Sequence, residues 1–175
     1  MKFQDRDFLA LNPYQRAEFG LGRLFQRGGV FLSLTVPQHL TIALNGNKSG
    51  SIIKSIQKKP RDFIKESNLP ELSLRLLSAA GIRANDIRLA GQLSFGQRRT
   101  LAFACIIVRK PLLLLLDEPY VGLDTNVREV VRAAIINFAS KGCGVLIVEH
   151  ELSETEGISN RILKMHNGKL SVVET

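Results

Sequence analysis

Five consecutive leucines, Leu112–Leu116, run directly into Asp117 and Glu118. The run has neither the alternation of a half-exposed strand nor the spacing of an amphipathic helix. Its length and abrupt charged end predict a strand buried on both faces, as in a parallel sheet. Val145–Val148 is a second such run, ending in Glu149 and His150. Between them, Asp124 or Thr125 is placed to cap a helix with Val127, Val130, Val131, Ala134 and Phe138 facing inward. Strand, helix, strand with short connections predicts an α/β fold.

Ligands of open parallel sheets gather at the carboxyl ends of the strands. That rule places Asp117, Glu118 and His150 together. An aspartate there can hold Mg²⁺ beside a nucleotide phosphate. The adjacent Glu118 is suited to orient or deprotonate an attacking water, and His150 to touch that water or the γ-phosphate. Taken singly, each residue is better explained as a solvated strand end.

The rest of the chain supplies helices and one earlier strand. Residues 1–19 are mixed and polar, as in a connector or peripheral layer. Gly20–Gln26 reads as a short buried strand ending at Gln26, broken by Gly28 and Gly29. Thr35-Val36-Pro37 starts a helix with Leu40, Ala43 and Leu44 on one face. Residues 45–61 are polar, basic and glycine-containing, as in a surface loop. Pro70 opens a helix carrying Leu69, Leu72, Leu76 and Ala79, which Gly81 stops. Ser94 and Gln97 form the S-x-x-Q pattern of a capping box, so a helix runs from there to about Arg109 and ends before Pro111. Arg161–Met165, the turn His166-Asn167-Gly168 and Lys169–Val173 predict a hairpin.

Composition narrows the class. The 175 residues carry Lys+Arg 24 against Asp+Glu 16, a net charge of +8, with 45% hydrophobic content. That excludes a wholly disordered chain. The apolar runs Leu101–Val108 and Pro111–Leu116 fall well short of the roughly 20 residues that span a bilayer, and the opening MKFQDRDF has no secretory apolar core. Cys105 and Cys143 read as reduced thiols. Nucleic-acid binding through Lys48, Lys54, Lys58, Lys59, Arg61 and Lys65 is disfavoured, because only Phe63 among them offers a base-stacking ring.

The order of these pieces resembles the nucleotide-binding domain of ABC (ATP-binding cassette) ATPases. Leu93-Ser94-Phe95-Gly96-Gln97 resembles the LSGGQ signature, with phenylalanine at one glycine. Leu112–Pro119 resembles Walker B with its catalytic glutamate, Gly122-Leu123-Asp124 the D-loop, and Val148-Glu149-His150 the switch histidine. Gly20–Gln26 resembles the strand into the Q-loop, with Gln26 at the glutamine position, and FLSLTVPQHL resembles the segment that follows it. The LSFGQ and Glu149-His150-Glu151 forms are similar to branched-chain amino acid and lipopolysaccharide-export ATPases.

The resemblance implies ATP and Mg²⁺ as ligands. It implies catalytic roles for Glu118, His150 and Gln26, and Mg²⁺ contacts through Asp117 and Gln26. Ser94, Gly96 and Gln97 then contact an ATP held by an opposite subunit, since the start of a helix is an anion site, and Asp124 belongs to the D-loop. It also implies a cytoplasmic subunit working against a transmembrane transporter subunit, at the inner face of the membrane.

No G-x-x-x-x-G-K-S/T motif precedes Gln26 in the sequence. Asn45–Lys54 holds glycine, lysine and serine but no Gly-Lys-Ser or Gly-Lys-Thr triplet, and it follows Gln26. The expected architecture is therefore one truncated P-loop-NTPase-type domain: residues 1–34 around the Q-loop, 35–110 as helical signature subdomain, and 111–175 with Walker B, switch histidine and hairpin. Because the family sets its P-loop strand beside Walker B, the resemblance implies an unpaired apolar edge on Leu112–Leu116, and with it self-association, a complementing P-loop-bearing partner or a rearranged sheet. Hydrolysis by the chain alone is expected to be weak or absent. The alternative is a non-enzymatic docking module on the same scaffold.

Overall fold

The computed structural model describes residues 2–3, 6–26, 29–45 and 69–173. The basic 48–65 segment, most of the 45–61 loop and Gly28 lie outside the described residues.

A two-residue hairpin, β1 (Lys2–Phe3) and β2 (Arg6–Asp7), leads to α1 (Pro13–Glu18). Asn12 Oδ1 accepts the Gln15 N–H, and Gln15 Oε1 accepts the Asn12 N–H, each at 2.9 Å. This reciprocal cap satisfies donors that a helix start leaves free. Phe3, Phe8 and Phe19 meet edge to face with centroids 5.5–6.2 Å apart. The polar-looking start thus folds around its aromatics as a peripheral layer.

The sheet is parallel. β3 (Leu21–Leu24), β4 (Leu113–Asp117) and β5 (Gly144–Val148) lie in the order β3-β4-β5. Leu21 pairs with Leu113, and Leu113 in turn with Gly144. The leucine strand is therefore central and paired on both sides, which corrects the expectation of a bare edge on Leu112–Leu116. Among the described residues the edges of this sheet are β3 and β5.

Four further α-helices lie among the described residues: α2 (Val36–Asn45), α3 (Glu71–Ala79), α4 (Phe95–Val108) and α5 (Thr125–Ser140). Leu24, Leu114 and Leu116 pack with Phe103 and Ile107 of α4 and with Val127, Val131 and Ile135 of α5. Leu101, Ala104 and Val108 face the other way, into a second cluster with Val36, Leu40 and Leu77. Helix α4 is thus apolar on two sides because it sits between the sheet and the α2–α3 layer. Gly22 is required where α4 crosses β3: a Cβ there would lie 2.5 Å from Ile106 Cγ2.

Two burial expectations need correction. Leu44 is exposed although Leu40, one turn earlier, is fully buried. Strand β5 is not buried on both faces: Val145 and Ile147 pack on the helix side, whereas Leu146 is 50% and Val148 54% exposed. The described helices cover one face of the sheet. Phe3 comes near Gly144, at the start of β5.

The hairpin of β6 (Ile162–His166) and β7 (Lys169–Val173) forms as expected, in a sheet of its own. Asn167 and Gly168 both take positive φ, 47° and 75°, as a two-residue turn of this hand needs. Cys105 and Cys143 are unpaired thiols, and burial pushes the Cys105 pKa up to about 12. No described helix is long and apolar enough to cross a membrane.

Candidate functional site

The three parallel strands deliver their carboxyl ends to one place. Gln26 follows β3, Asp117 ends β4 and Glu118 follows it, and Glu149 and His150 follow β5. Glu118 is 7% exposed, and its Oε1 is the meeting point: Gln26 Nε2 donates to it at 2.8 Å and His150 Nε2 lies 2.7 Å away. A carboxylate oxygen accepts, so His150 presents Nε2–H and keeps Nδ1 for another partner. The Gln26 amide first, and His150 with it, hold the Glu118 carboxyl below its ordinary pKa against the opposing effect of burial. Glu118 is therefore ionised at neutral pH.

Its backbone is unusual. Glu118 has φ +49°, a left-handed conformation that costs a non-glycine residue about 1–3 kcal/mol. The Glu118 N–H donates to Val148 O at 2.9 Å, and its carbonyl accepts from the Arg99 guanidinium. Arg99 also donates to Gln26 O at 2.9 Å and to Asp117 O at 2.6 Å. Sequence reasoning missed this residue. Nothing in Arg98-Arg99 marks which arginine turns inward, and only the helix phase set by Ser94 separates them.

Glu149 differs from Glu118. Burial raises its carboxyl pKa, with the Glu154 and Glu118 charges adding and the Tyr120 N–H opposing. The folded state then binds the Glu149 proton more tightly than the unfolded state, so this group's contribution to stability grows as pH falls through its raised pKa. Glu149→Gln is expected to stabilise the fold at pH 7, by under about 1 kcal/mol because the side chain is partly solvated. The advantage should vanish below pH ~4. Urea unfolding at the two pH values checks this.

Ser94 lies at the start of α4, with its Oγ accepting the Gln97 N–H at 3.1 Å and Gln97 Oε1 accepting the Ser94 N–H at 3.1 Å. The Gln97 Nε2 donates to Ala80 O at 3.1 Å, so both ends of this amide work inside the chain. Ser94 itself is exposed at the helix N-terminus. Asp124 accepts the Val127 N–H at 3.0 Å and caps α5. Phe95 packs over Gly122, where a Cβ would lie 2.4 Å from its ring, and Gly96 faces the Gly122 carbonyl. The 95–96 and 122 positions are therefore in direct contact within one chain, whereas Ser94 and Glu118 serve separate constellations.

Asp117 and Gln26 fit Mg²⁺ only in part. No cluster of three or more histidine, cysteine or acidic residues suited to a metal occurs among the described residues. Mg²⁺ commonly takes one or two carboxylates with phosphate oxygens and waters. The donor set thus suits an ion arriving with a nucleotide, not a resident metal.

A helix-covered parallel sheet with acids and a histidine at its carboxyl end is an α/β fold with polar groups gathered where such sheets take their ligands. The ABC transporter family model matches residues 2–121, more than half of the chain. The chain belongs to the ATP-binding domain family of ABC transporters.

It is 33% identical over 168 residues to the lipopolysaccharide export system ATP-binding protein LptB of Acidithiobacillus ferridurans, covering 95% of this chain and 63% of that protein. It is 31% identical over 169 residues to the sulfate/thiosulfate import ATP-binding protein CysA of Mycobacterium tuberculosis, covering 96% of this chain and 43% of that protein. The chain thus spans about half of the length of such relatives. An ABC cassette solved in its ADP conformation superposes with TM-score 0.66 at 24% identity, over 97% of this chain and 66% of the other. A dimeric cassette in a post-hydrolysis state with ADP and Pi gives 0.69 at 17% identity, over 99% and 72%. These overlays show the fold.

Proposed function

We propose that this chain is the signature- and Walker-B-bearing part of an ABC-type ATPase, and that it works on ATP whose phosphates are gripped by a glycine-lysine loop lying outside these 175 residues. The observation that carries the reading is the shared Glu118 Oε1, which draws Gln26 and His150 to the carboxyl end of the sheet. Glu118 is ionised and placed to take a proton from an attacking water. Gln26 orients that carboxylate, and His150 sits at the solvent side with Nδ1 free for phosphate or water. Asp117, with Gln26, would hold Mg²⁺ brought by the nucleotide, and the ion would neutralise phosphate charge. Ser94 and the first-turn N–H groups of α4 would close on the γ-phosphate of an ATP held by a partner subunit.

The free edge of β5 and the exposed Leu146 and Val148 support a complementing strand from a P-loop-bearing partner. An unpaired edge beside an apolar sheet face invites such pairing. A second reading, docking on a transmembrane subunit without hydrolysis, is favoured by the open cleft of about 600 Å³ lined by residues such as Phe25, Phe31, Leu44 and Ile106.

Isothermal titration separates the two. The isolated chain is expected to show no micromolar binding of Mg-ATP, whereas the chain mixed with a polypeptide carrying G-x-x-x-x-G-K-S/T should bind and hydrolyse it. Turnover by the isolated chain, or silence of the mixture despite a formed complex, overturns the proposal.

A further inference from the structure

We infer that Arg99 is a positioning residue: by clamping the carbonyls of Gln26, Asp117 and Glu118, it makes the Gln26–Glu118–His150 arrangement depend on the helix that carries Ser94. This rests on the reading of Glu118 and His150 as the chemical groups.

Arg99 lies in α4, five residues after Ser94, and is only 6% exposed. A buried guanidinium is costly unless its donors are met. Here Nη1 and Nη2 meet three backbone carbonyls at the ends of β3 and β4. The Nε–H finds no partner among the described residues. Burial lowers the Arg99 pKa, and Glu118, Glu149 and Asp117 oppose that shift. The side chain thus acts mainly as a cross-link between two strand ends and the signature helix.

The carbonyls it holds belong to the residues whose side chains meet. Glu118 is pinned on its N–H side by Val148 O and on its carbonyl side by Arg99. Its left-handed backbone persists only while both sides are held. With the Arg99 side lost, φ is free to relax toward negative values, and the carboxylate turns away from Gln26 and His150. A lysine reaches the same region with a single ammonium but lacks the fork that spans three acceptors.

The test reads the His150 ring by long-range ¹H–¹⁵N NMR in the full chain without nucleotide. In the native chain the Nε2–H is expected to carry the signature of a bond to Glu118, 2.7 Å away. Arg99→Met is expected to move that signal to the position seen in Glu118→Ala, and Arg99→Lys to an intermediate one. An Arg99→Met protein that melts earlier with an unmoved His150 signal shows a merely structural role and overturns the inference. Should Arg99→Met fail to fold, the folded Arg99→Lys decides: a displaced signal supports the inference and an unmoved one overturns it. Because no ATP is present, failure here is distinct from failure of the proposed ATPase role.

Discussion

Glu118→Gln is expected to lower ATP turnover by about 10²–10⁴-fold once the chain is assembled with a partner that supplies the phosphate-binding loop, the range a positioned general base contributes. The substitution keeps the size of the side chain and an oxygen able to accept from Gln26 or His150, so folding and nucleotide affinity should change little. What it removes is the basic carboxylate. The native group is held ionised by the Gln26 amide and His150, so turnover should fall on the acid side only well below neutrality. The same lowered pKa makes Glu118 contribute stability above its unfolded value, near pH ~4.3, and that contribution disappears as pH falls through the folded value. The glutamine variant should lack both dependences. Steady-state phosphate release against pH checks the prediction, and a variant retaining native turnover would remove Glu118 from the chemistry.

Much of this site was legible because it depends on local patterns. The Ser94–Gln97 box and the Asp124 cap follow from side-chain length and helix-end geometry, which a few residues encode. The polar ends of β4 and β5 follow from apolar runs that stop abruptly. The order of strands is different. Nothing in Leu112–Leu116 says which neighbours it pairs with; the resemblance implies an open edge there, whereas it is the central strand and the edges are β3 and β5. The exposed side of β5 was hidden for a related reason: Leu146 and Val148 are apolar despite facing outward, so no alternation marks them. Arg99 was illegible because its partners are carbonyls, present at every residue and invisible to any reading of side-chain chemistry. Gln97 shows the converse. Its place in the capping box was legible, but its second bond to Ala80 joins segments 17 residues apart.

Gly96→Ala sets two effects of opposite sign against each other, and magnitude decides between them. Alanine within a helix is favoured over glycine by about 1 kcal/mol, so propensity alone predicts stabilisation. The added Cβ would lie 2.5 Å from the Gly122 carbonyl oxygen. That oxygen cannot swing aside like the tip of a side chain. Gly122 holds φ +74° beneath the Phe95 ring, and Asp124 two residues on is fixed by its cap on α5. The start of α4 and the 120–124 turn must therefore separate. Overpacking of this kind costs about 1–3 kcal/mol, so the clash wins and Gly96→Ala should unfold at lower urea than the native chain. Valine adds branching at the same point and should be worse. The displacement also moves Ser94, which precedes Gly96 by two residues, so the closure on a partner's nucleotide proposed above should weaken in parallel. A Gly96→Ala protein at least as stable as the native one would show that the start of α4 and the 120–124 turn are not in the contact described.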